Sequence, residues 1–413
     1  HIVWRPTELG LGRAYVSGDL DAEGDIVGLL TALSNYLGRR QRNRRLDPKA
    51  IAAAATAAYR GGALGRPPTP PRQEARLRGW RHSLRRDAGA IHHHYDTGNE
   101  FYRLVLGPSM TYSCARFAEP DFTLEQAQAA KHDLIARKLG LHENRGARLL
   151  DVGCGWGSMA IHAASTYDAE VVAITISQEQ AKLARERVDA AGVADRVEIR
   201  LQDYRELGDE TFDVISSIGM SEHVGGSKIA TYFGLLRQAL RPHGRLLNHA
   251  ITSVGGSKIG NGSFIGRYVF PDGELIDVGR LVLEMEAAGF EVRDAESLRE
   301  HYATTLKHWV ANLEAHWDEA VAAADADGEP GDGIAKARVW RLYMAASAVG
   351  FTDGGVAIHQ LLGVVPGPEI HVEVGDKVQV LLKNELPQAT TIHWHGVDVP
   401  NSMDGVPPFT QDA

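Results

Sequence analysis

The run Asp151-Val-Gly153-Cys-Gly155-Trp-Gly157 limits what this chain can fold into more than any other stretch of it. It closes the apolar segment ARLLDVG and precedes a helix-like run, so it reads as the turn joining a strand to a helix. Alternating glycines remove Cβ atoms where the backbone bends tightly and let a ligand approach the main chain closely. The segments AEVVAIT, RVEIRLQD, FDVISSIG and GRLLNHAI are further strand candidates, separated by amphipathic helical stretches. Strands alternating with helices imply an α/β core with a mostly parallel sheet covered on both faces.

The flanks have a different texture. Residues 1–65 read as a small α+β unit, with Ile26, Leu29, Leu30, Leu33 and Leu37 at helical spacing and a helix-favouring alanine stretch from Ala50 to Ala58. Gly61-Gly62 and the prolines between Pro67 and Pro71 then break the chain, so a docking unit with its linker is expected over residues 1–85. The stretch from Ala322 to Gly333 reads as an exposed loop between helices. From Glu369 the β-branched alternation in EIHVEVGDKVQVLLKNEL suggests a separate all-β segment, which places the core domain at 86–365 and the last unit at 366–413.

No apolar run approaches the ~20 residues that a membrane-spanning helix requires. The only cysteines, Cys114 and Cys154, exclude a disulfide framework and a Cys-rich zinc site, and they fit a reducing cytoplasm. Residues 1–90 carry 16 Lys and Arg against 8 Asp and Glu, while the whole chain has a net charge of −9. In that basic end, Arg39, Arg40, Arg42, Arg44 and Arg45 are placed to meet anionic lipid headgroups at ~1 kcal/mol each; a solvated loop is the equal alternative.

Dinucleotide folds usually show G-x-G-x-x-G, whereas the G-x-G-x-G spacing here resembles that of S-adenosylmethionine-dependent methyltransferases. Many of those enzymes end the second strand with an acid that accepts the ribose hydroxyls. This chain has Thr175-Ile-Ser177-Gln178-Glu179-Gln180 there, so neutral polar groups are expected instead. Gln202-Asp203-Tyr204, at the end of a later strand, is the expected place for adenine contacts.

Seven further motifs occur in order: His94-Tyr-Asp-Thr-Gly-Asn-Glu-Phe-Tyr102, Met110-Thr-Tyr-Ser-Cys114, Gly219-Met-Ser-Glu222-His-Val-Gly225, Leu247-Asn-His249-Ala-Ile251, Arg267-Tyr-Val-Phe-Pro-Asp-Gly-Glu274, Glu300-His-Tyr302 and Ile358-His-Gln360. With the glycine run they resemble the cyclopropane synthase and mycolic acid methyltransferase family over about residues 90–365. The resemblance implies a Rossmann-like class I methyltransferase that moves a methyl or methylene carbon from S-adenosylmethionine to an acyl double bond. It implies that Tyr112, Ser113, Asp151, Gly153, Gly155, Gly157, Thr175, Ser177, Gln180, Gln202, Asp203 and Tyr204 hold the cofactor. It also implies that Glu222, His249, Tyr302 and the backbone at Cys114 and Ile251 cradle a bicarbonate ion. Ser221 stands where the family commonly has Phe, which points to an altered acyl pocket.

The chemistry explains such a site. An alkene is a weak nucleophile, so holding the sulfonium methyl in line with it can supply ~7–11 kcal/mol of the barrier. Attack leaves a carbocation that water would capture, so the pocket must be apolar and closed, with one base for one proton. His249 and Tyr302 can donate hydrogen bonds to an anion; Glu222 either donates when protonated or orients His249 when ionised, and both states stay open. His92, His93 and His94 are adjacent and point different ways, so no metal is assigned to them. The implied partner is unsaturated phospholipid at the inner membrane face, with peripheral association and no nucleic acid; a homodimer and the branched or cyclic nature of the product are left open. Methylation of a soluble small molecule on the same fold is the rival.

The last segment, from Pro366 through Thr391-Ile-His393-Trp-His395-Gly to Asn401-Ser-Met-Asp-Gly-Val406, resembles the first cupredoxin domain of multicopper oxidases. Alternate residues of a strand share a face, and the family would use His393 for type 2 and His395 for type 3 copper. Two histidines cannot complete a trinuclear site, so an incomplete copper site in a truncated or fused segment is expected; a longer, bifunctional protein is the alternative. A start at His1 and an end soon after this motif also suggest a fragment.

Overall fold

The computed structural model describes residues 7–41, 53, 56, 59–60, 68–75, 98–256, 262–271, 273–326 and 331–367. The chain divides into two compact units, residues 1–367 and residues 368–413, of which the second lies outside the described residues.

The central sheet has eight strands: β1 (Arg148–Val152), β2 (Glu170–Thr175), β3 (Val197–Leu201), β4 (Phe212–Ile218), β5 (Leu240–Ser253), β6 (Ile276–Asp277), β7 (Glu291–Ser297) and β8 (Val356–Val364). Their order is β3-β2-β1-β4-β5-β8-β7, with β6 paired to β5. Strands β1 to β6 pair in parallel, while β8 lies antiparallel between β5 and β7. The first five strands coincide with the five expected segments. The last three have no such signal: in β7, EVRDAES alternates exposed charges at a sheet edge, a pattern that deters edge-to-edge pairing but reads as surface. Strand order reverses between β1 and β4, so a crevice opens at their carboxyl ends, where the glycine turn lies.

The helices are α1 (Glu8–Val16), α2 (Ile26–Gln41), α3 (Asn99–Leu106), α4 (Leu124–Leu139), α5 (Ser158–Tyr167), α6 (Gln178–Ala190), α7 (Ser221–Val224), α8 (Ile229–Gln238), α9 (Phe264–Tyr268), α10 (Val278–Ala287), α11 (Arg299–Ala315), α12 (Trp317–Ala326) and α13 (Gly333–Thr352). One sheet face is packed by α4, α5 and α6 around Ile135, Ala163 and Ala184; the other by α8 and α10 around Phe233 and Met285. A third core joins α1, α3, α11 and α13 through Tyr102, Trp309, Trp340 and Met344 and forms a helical roof.

Helix α4 begins with a reciprocal capping box between Thr123 and Gln126 and ends at Gly140, whose φ of 81° suits a left-handed cap. Its inner face presents Gln128, Lys131 and His132 among apolar neighbours, all buried.

Two expectations change here. The described N-terminal residues form helices rather than an α+β unit, and they dock on α13: Arg341 donates to Tyr15 Oη at 2.9 Å and to the carbonyls of Ala22 and Gly24 at 2.8 Å each. The stretch from Ala322 begins as the last turns of α12, with Ala324 fully buried, because its alanines suit a small-residue helix contact that composition alone presents as loop.

Candidate active site

A cavity of about 320 Å³ lies at the carboxyl ends of the parallel strands, under the helical roof. Its floor is the glycine turn, where Gly153, Gly155 and Gly157 have φ of 75°, 54° and 81°. A Cβ at Gly153 would lie 2.3 Å from Met220 Sδ, so the backbone favours glycine there and a side chain would have to displace Met220. Arg187 on α6 clamps the turn: it donates to Trp156 O at 2.6 Å and to Ser109 O at 2.7 Å, which joins the turn to the segment carrying Tyr112 and Ser113.

At the cofactor end, Asp151 is buried and its Oδ1 accepts from Ser216 Oγ at 2.7 Å, while Oδ2 has no partner among the described residues. Burial raises this carboxyl to about 6 against the hydrogen bond and the charge of Lys131. Thr175 Oγ1 donates to Gln180 Oε1 at 2.9 Å, and both line the cavity. Gln202, Asp203 and Tyr204 line it at the end of β3. Gln202 Nε2 donates to Glu206 O at 2.7 Å, and Asp203 pairs with Arg205 at 2.8 Å. Burial pushes Asp203 up, but the Arg205 hydrogen bonds and charge outweigh it.

At the other end, Glu222 on α7 accepts the Ile251 amide on Oε1 at 2.7 Å, and its Oε2 is buried without a partner among the described residues. Burial raises Glu222 to about 7, so a protonated, donating carboxyl is accessible near neutrality. His249 on β5 faces Gln360 on β8, its register neighbour. Gln360 Nε2 lies 3.2 Å from His249 Nδ1; with the amide donating, Nδ1 accepts and the ring proton sits on Nε2, which is buried and has no partner among the described residues. Burial, with the charges of Lys131 and Lys138, lowers His249 to about 3 and keeps the ring neutral. Tyr302 lines the same cavity and packs on Phe351 at 4.6 Å. Above them Tyr112 bonds Tyr343 at 3.2 Å, and Leu306, Phe270 and Ile358 complete an apolar shell.

Five site expectations need correction. Ile251 lines the cavity, but its amide is taken by Glu222 and is not offered to an anion. Cys114 is not in the cavity wall; its thiol lies in the core beside Ala115 O and Leu298 O, and burial raises it. Ser177 and Gly157 also stand behind the wall: Ser177 caps α6 through the Gln180 amide at 3.3 Å, and Gly157 is the N-cap of α5. Ser221 does not face the acyl pocket, since its Oγ donates to Asn248 Oδ1 at 2.9 Å under the sheet ends. His92, His93, His94, His393 and His395 lie outside the described residues, and among those described no group of His, Cys, Asp and Glu could hold a metal.

The motif reading missed Lys131 and passed over what Gln360 does. Lys131 carried a partial local signal: Leu124, Ala127, Gln128, Lys131, Ile135 and Leu139 fall on one helical face, which places its stem on the packed side and leaves the burial of its charge to the tertiary contacts. The role of Gln360 depends on a pairing across the sheet that no local signal carries.

Comparison with known proteins identifies the family and the fold. Residues 82–361 match the family profile of mycolic acid cyclopropane synthetase. A probable fatty acid methyltransferase of Mycobacterium tuberculosis is 45% identical over 376 residues, 89% of this chain and 85% of its own. The cyclopropane-fatty-acyl-phospholipid synthase of Escherichia coli (strain K12) is 42% identical over 226 residues, 55% of this chain and 56% of its own. The crystal structure of mycolic acid cyclopropane synthase CmaA1 complexed with SAH and CTAB superposes with a TM-score of 0.60 at 33% identity, covering 67% of this chain and 98% of that one. Residues 349–413 match a multicopper oxidase profile, yet the part of that match up to Val364 supplies the end of α13 and strand β8 of the present sheet. Fold and relatives agree: the chain belongs to the mycolic acid cyclopropane synthetase family of class I S-adenosylmethionine-dependent methyltransferases.

Proposed function

We propose that this enzyme adds a methyl or methylene carbon to the double bond of an unsaturated phospholipid acyl chain, and that Glu222, His249 and Tyr302 hold a bicarbonate ion beside the reacting carbons. One observation carries the reading: Glu222 Oε2 and His249 Nε2 are buried, lack partners among the described residues, and belong to a cavity that Tyr302, Leu306, Phe270 and Ile358 also line. Two orphaned polar atoms in such surroundings cost on the order of 1–3 kcal/mol each unless a ligand meets them. A small oxyanion fits, because a neutral imidazole with hydrogen on Nε2 and a protonated carboxyl both donate.

Bound S-adenosylmethionine would supply an electrophilic methyl group, and bicarbonate a base for the one surplus proton. The remaining tasks fall to the chain. Gly153 and Gly155 bring the backbone close to the cofactor, and Asp151 Oδ2 offers an unpartnered acceptor to it. Gln360 holds the His249 ring in one tautomer. Tyr112, Leu306, Tyr343 and Phe351 exclude the water that would capture a cationic acyl chain.

The phospholipid substrate is supported by the named activity of the Escherichia coli relative. Among the described residues no helix is long and apolar enough to cross a membrane, so the reading includes peripheral docking of the enzyme at the cytoplasmic face. The test is mass spectrometry of lipids after incubation of monounsaturated phospholipid vesicles with methyl-labelled cofactor. A gain of one labelled carbon per acyl chain is expected. Tight cofactor binding with no modified lipid would overturn the reading and leave small-molecule methylation in its place.

A further inference from the structure

Glu222 and His249 reach the cavity from different elements, and the residues beside them tie those elements together. Helix α7 is four residues long and its N-cap, Met220, makes no side-chain cap bond, so little within the helix fixes the direction of Glu222. Its neighbour Ser221 is 2% exposed and donates from Oγ to Asn248 Oδ1 at 2.9 Å. Asn248 precedes His249 on β5 and is fully buried. The same Oδ1 accepts from Ser217 Oγ at 3.4 Å, and Ser217 is bonded to Tyr232 Oη on α8 at 2.7 Å. Adjacent residues of a strand project to opposite faces, so Asn248 enters this cluster of hydroxyls while His249 turns to Gln360. The cluster is an unfavourable way to fill a core, because Asn248 Nδ2 is buried and has no partner among the described residues. Apolar side chains of similar shape would fill the same space and leave no donor orphaned.

We propose that Ser221 and Asn248 are positioning residues that set Glu222 against His249, so that Oε2 of the one and Nε2 of the other meet the same ligand. Three bonds join the two segments side by side. The Gly219 amide donates to His249 O at 2.8 Å, Ser221 Oγ donates to Asn248 Oδ1, and the Ile251 amide donates to Glu222 Oε1. The first holds the chain before α7 and the last holds one carboxyl oxygen. The Ser221 bond fixes how α7 is turned about its own axis, which decides where the free oxygen of Glu222 points. Ser217 and Tyr232 hold Asn248 in turn, so the reference for that angle is the sheet and α8 rather than a loop. Ser221 stands where the resembled family commonly has Phe, a side chain that could not make this bond, so the tether is particular to this chain.

The inference rests on the reading of Glu222 and His249 as one ligand site, and its test has a readout apart from turnover. Ser221→Ala, Asn248→Leu and the double variant would be compared with wild type as full chains. Ser221→Ala should lower kcat on monounsaturated phospholipid vesicles by about 10- to 100-fold, the cost of a small misplacement of a reacting group. The Kd for S-adenosylmethionine should stay within about 3-fold. Both substitutions break the same bond, so the double variant should lose no more kcat than the worse single one. Its urea midpoint should be no lower than that of wild type, because both polar partners are replaced together. Deuterium exchange of the Ile251 amide, followed by NMR, should be about 10-fold faster in Ser221→Ala as Glu222 swings away from it. Ser221→Thr keeps the hydroxyl and should recover most of the kcat. A folded Ser221→Ala protein with wild-type kcat and wild-type exchange at Ile251 overturns the assignment. So does a kcat that falls only in step with the urea midpoint, which would make the pair packing alone. If Asn248→Leu does not fold, Ser221→Ala decides by itself. Should wild type leave the vesicle lipids unmodified, the proposed function fails, while exchange at Ile251 still decides whether the tether orients Glu222.

Discussion

The two ends of the cavity stand on one sheet but are built differently. At the cofactor end most of the polar groups bond near neighbours: Thr175 reaches Gln180 five residues away and Ser177 caps the helix that follows it, with the Asp151–Ser216 bond between β1 and β4 the exception. At the reaction end the bonds span 29 residues from Glu222 to Ile251 and 111 from His249 to Gln360. The first end is a loop shaped by glycine and local capping. The second is a set of donors fixed by long-range strand pairing and held in apolar surroundings before any ligand arrives. Such preorganisation is where electrostatic catalysis draws its strength, because nothing needs to reorient when charge develops.

That contrast can be broken by experiment. The largest effect is expected at the reaction end: His249→Ala or Glu222→Gln should lower kcat on unsaturated phospholipid vesicles by about 10²- to 10⁴-fold. The calorimetric Kd for S-adenosylmethionine should move by less than about 3-fold. Equal losses of binding and turnover would mean that the two ends are one site.

Next comes the protonation of Glu222. Between its ordinary value and about 7, the folded chain holds a proton that the unfolded chain has released. This group therefore removes stability as pH rises through that window, by up to ~3 kcal/mol relative to Glu222→Gln. Urea unfolding of both proteins at pH 5 and pH 8 reads the difference directly. A gap that does not change with pH would return Glu222 to the ordinary carboxyls and remove its donor role.

Gln360→Ala should reduce kcat by roughly 10- to 100-fold with cofactor affinity kept, since the His249 ring would lose the bond that sets its tautomer. A conservative Gln360→Glu change sharpens this, because an acceptor there would move the proton to Nδ1 and leave Nε2 without one. If alanine and glutamate variants both turn over normally, the β8 contact is packing alone.

The smallest effect belongs to the cofactor end. Gly153→Ala meets a φ of 75° and a close Met220 Sδ, but the methionine can shift. A roughly 10-fold weaker Kd for S-adenosylmethionine is expected, from ~1–3 kcal/mol of backbone strain, with kcat at saturating cofactor nearly unchanged. A loss confined to kcat would reverse the division of labour.

The site was legible in proportion to how local it is. Gly153, Gly155 and Gln202 were placed by a strand-turn-helix grammar and Thr175 and Gln180 by the family resemblance, and all five line the cavity. Glu222, His249 and Tyr302 came only through resemblance to a family, and the structure gathers all three in that cavity. The errors share one cause. Cys114, Ile251, Ser177, Gly157 and Ser221 sit in the right segments, but which way a side chain or amide turns depends on partners elsewhere: Leu298 O for Cys114, Glu222 for Ile251 and Asn248 for Ser221. Lys131 was overlooked because a lysine on a helix is ordinarily solvated, and only the packing of α4 against the sheet makes it a buried charge.

The chain's own order of residues therefore determined the five consecutive strands, the glycine turn and the class of ligand it suits, since periodicity and positive-φ glycines act over a few residues. Tertiary structure alone decided the antiparallel edge of β7 and β8, the tautomer of His249, the upward shift of the Glu222 carboxyl and the isolation of Lys131. Those depend on dielectric surroundings and on hydrogen bonds between residues far apart in the chain, and burial is a property of the packed molecule rather than of any segment.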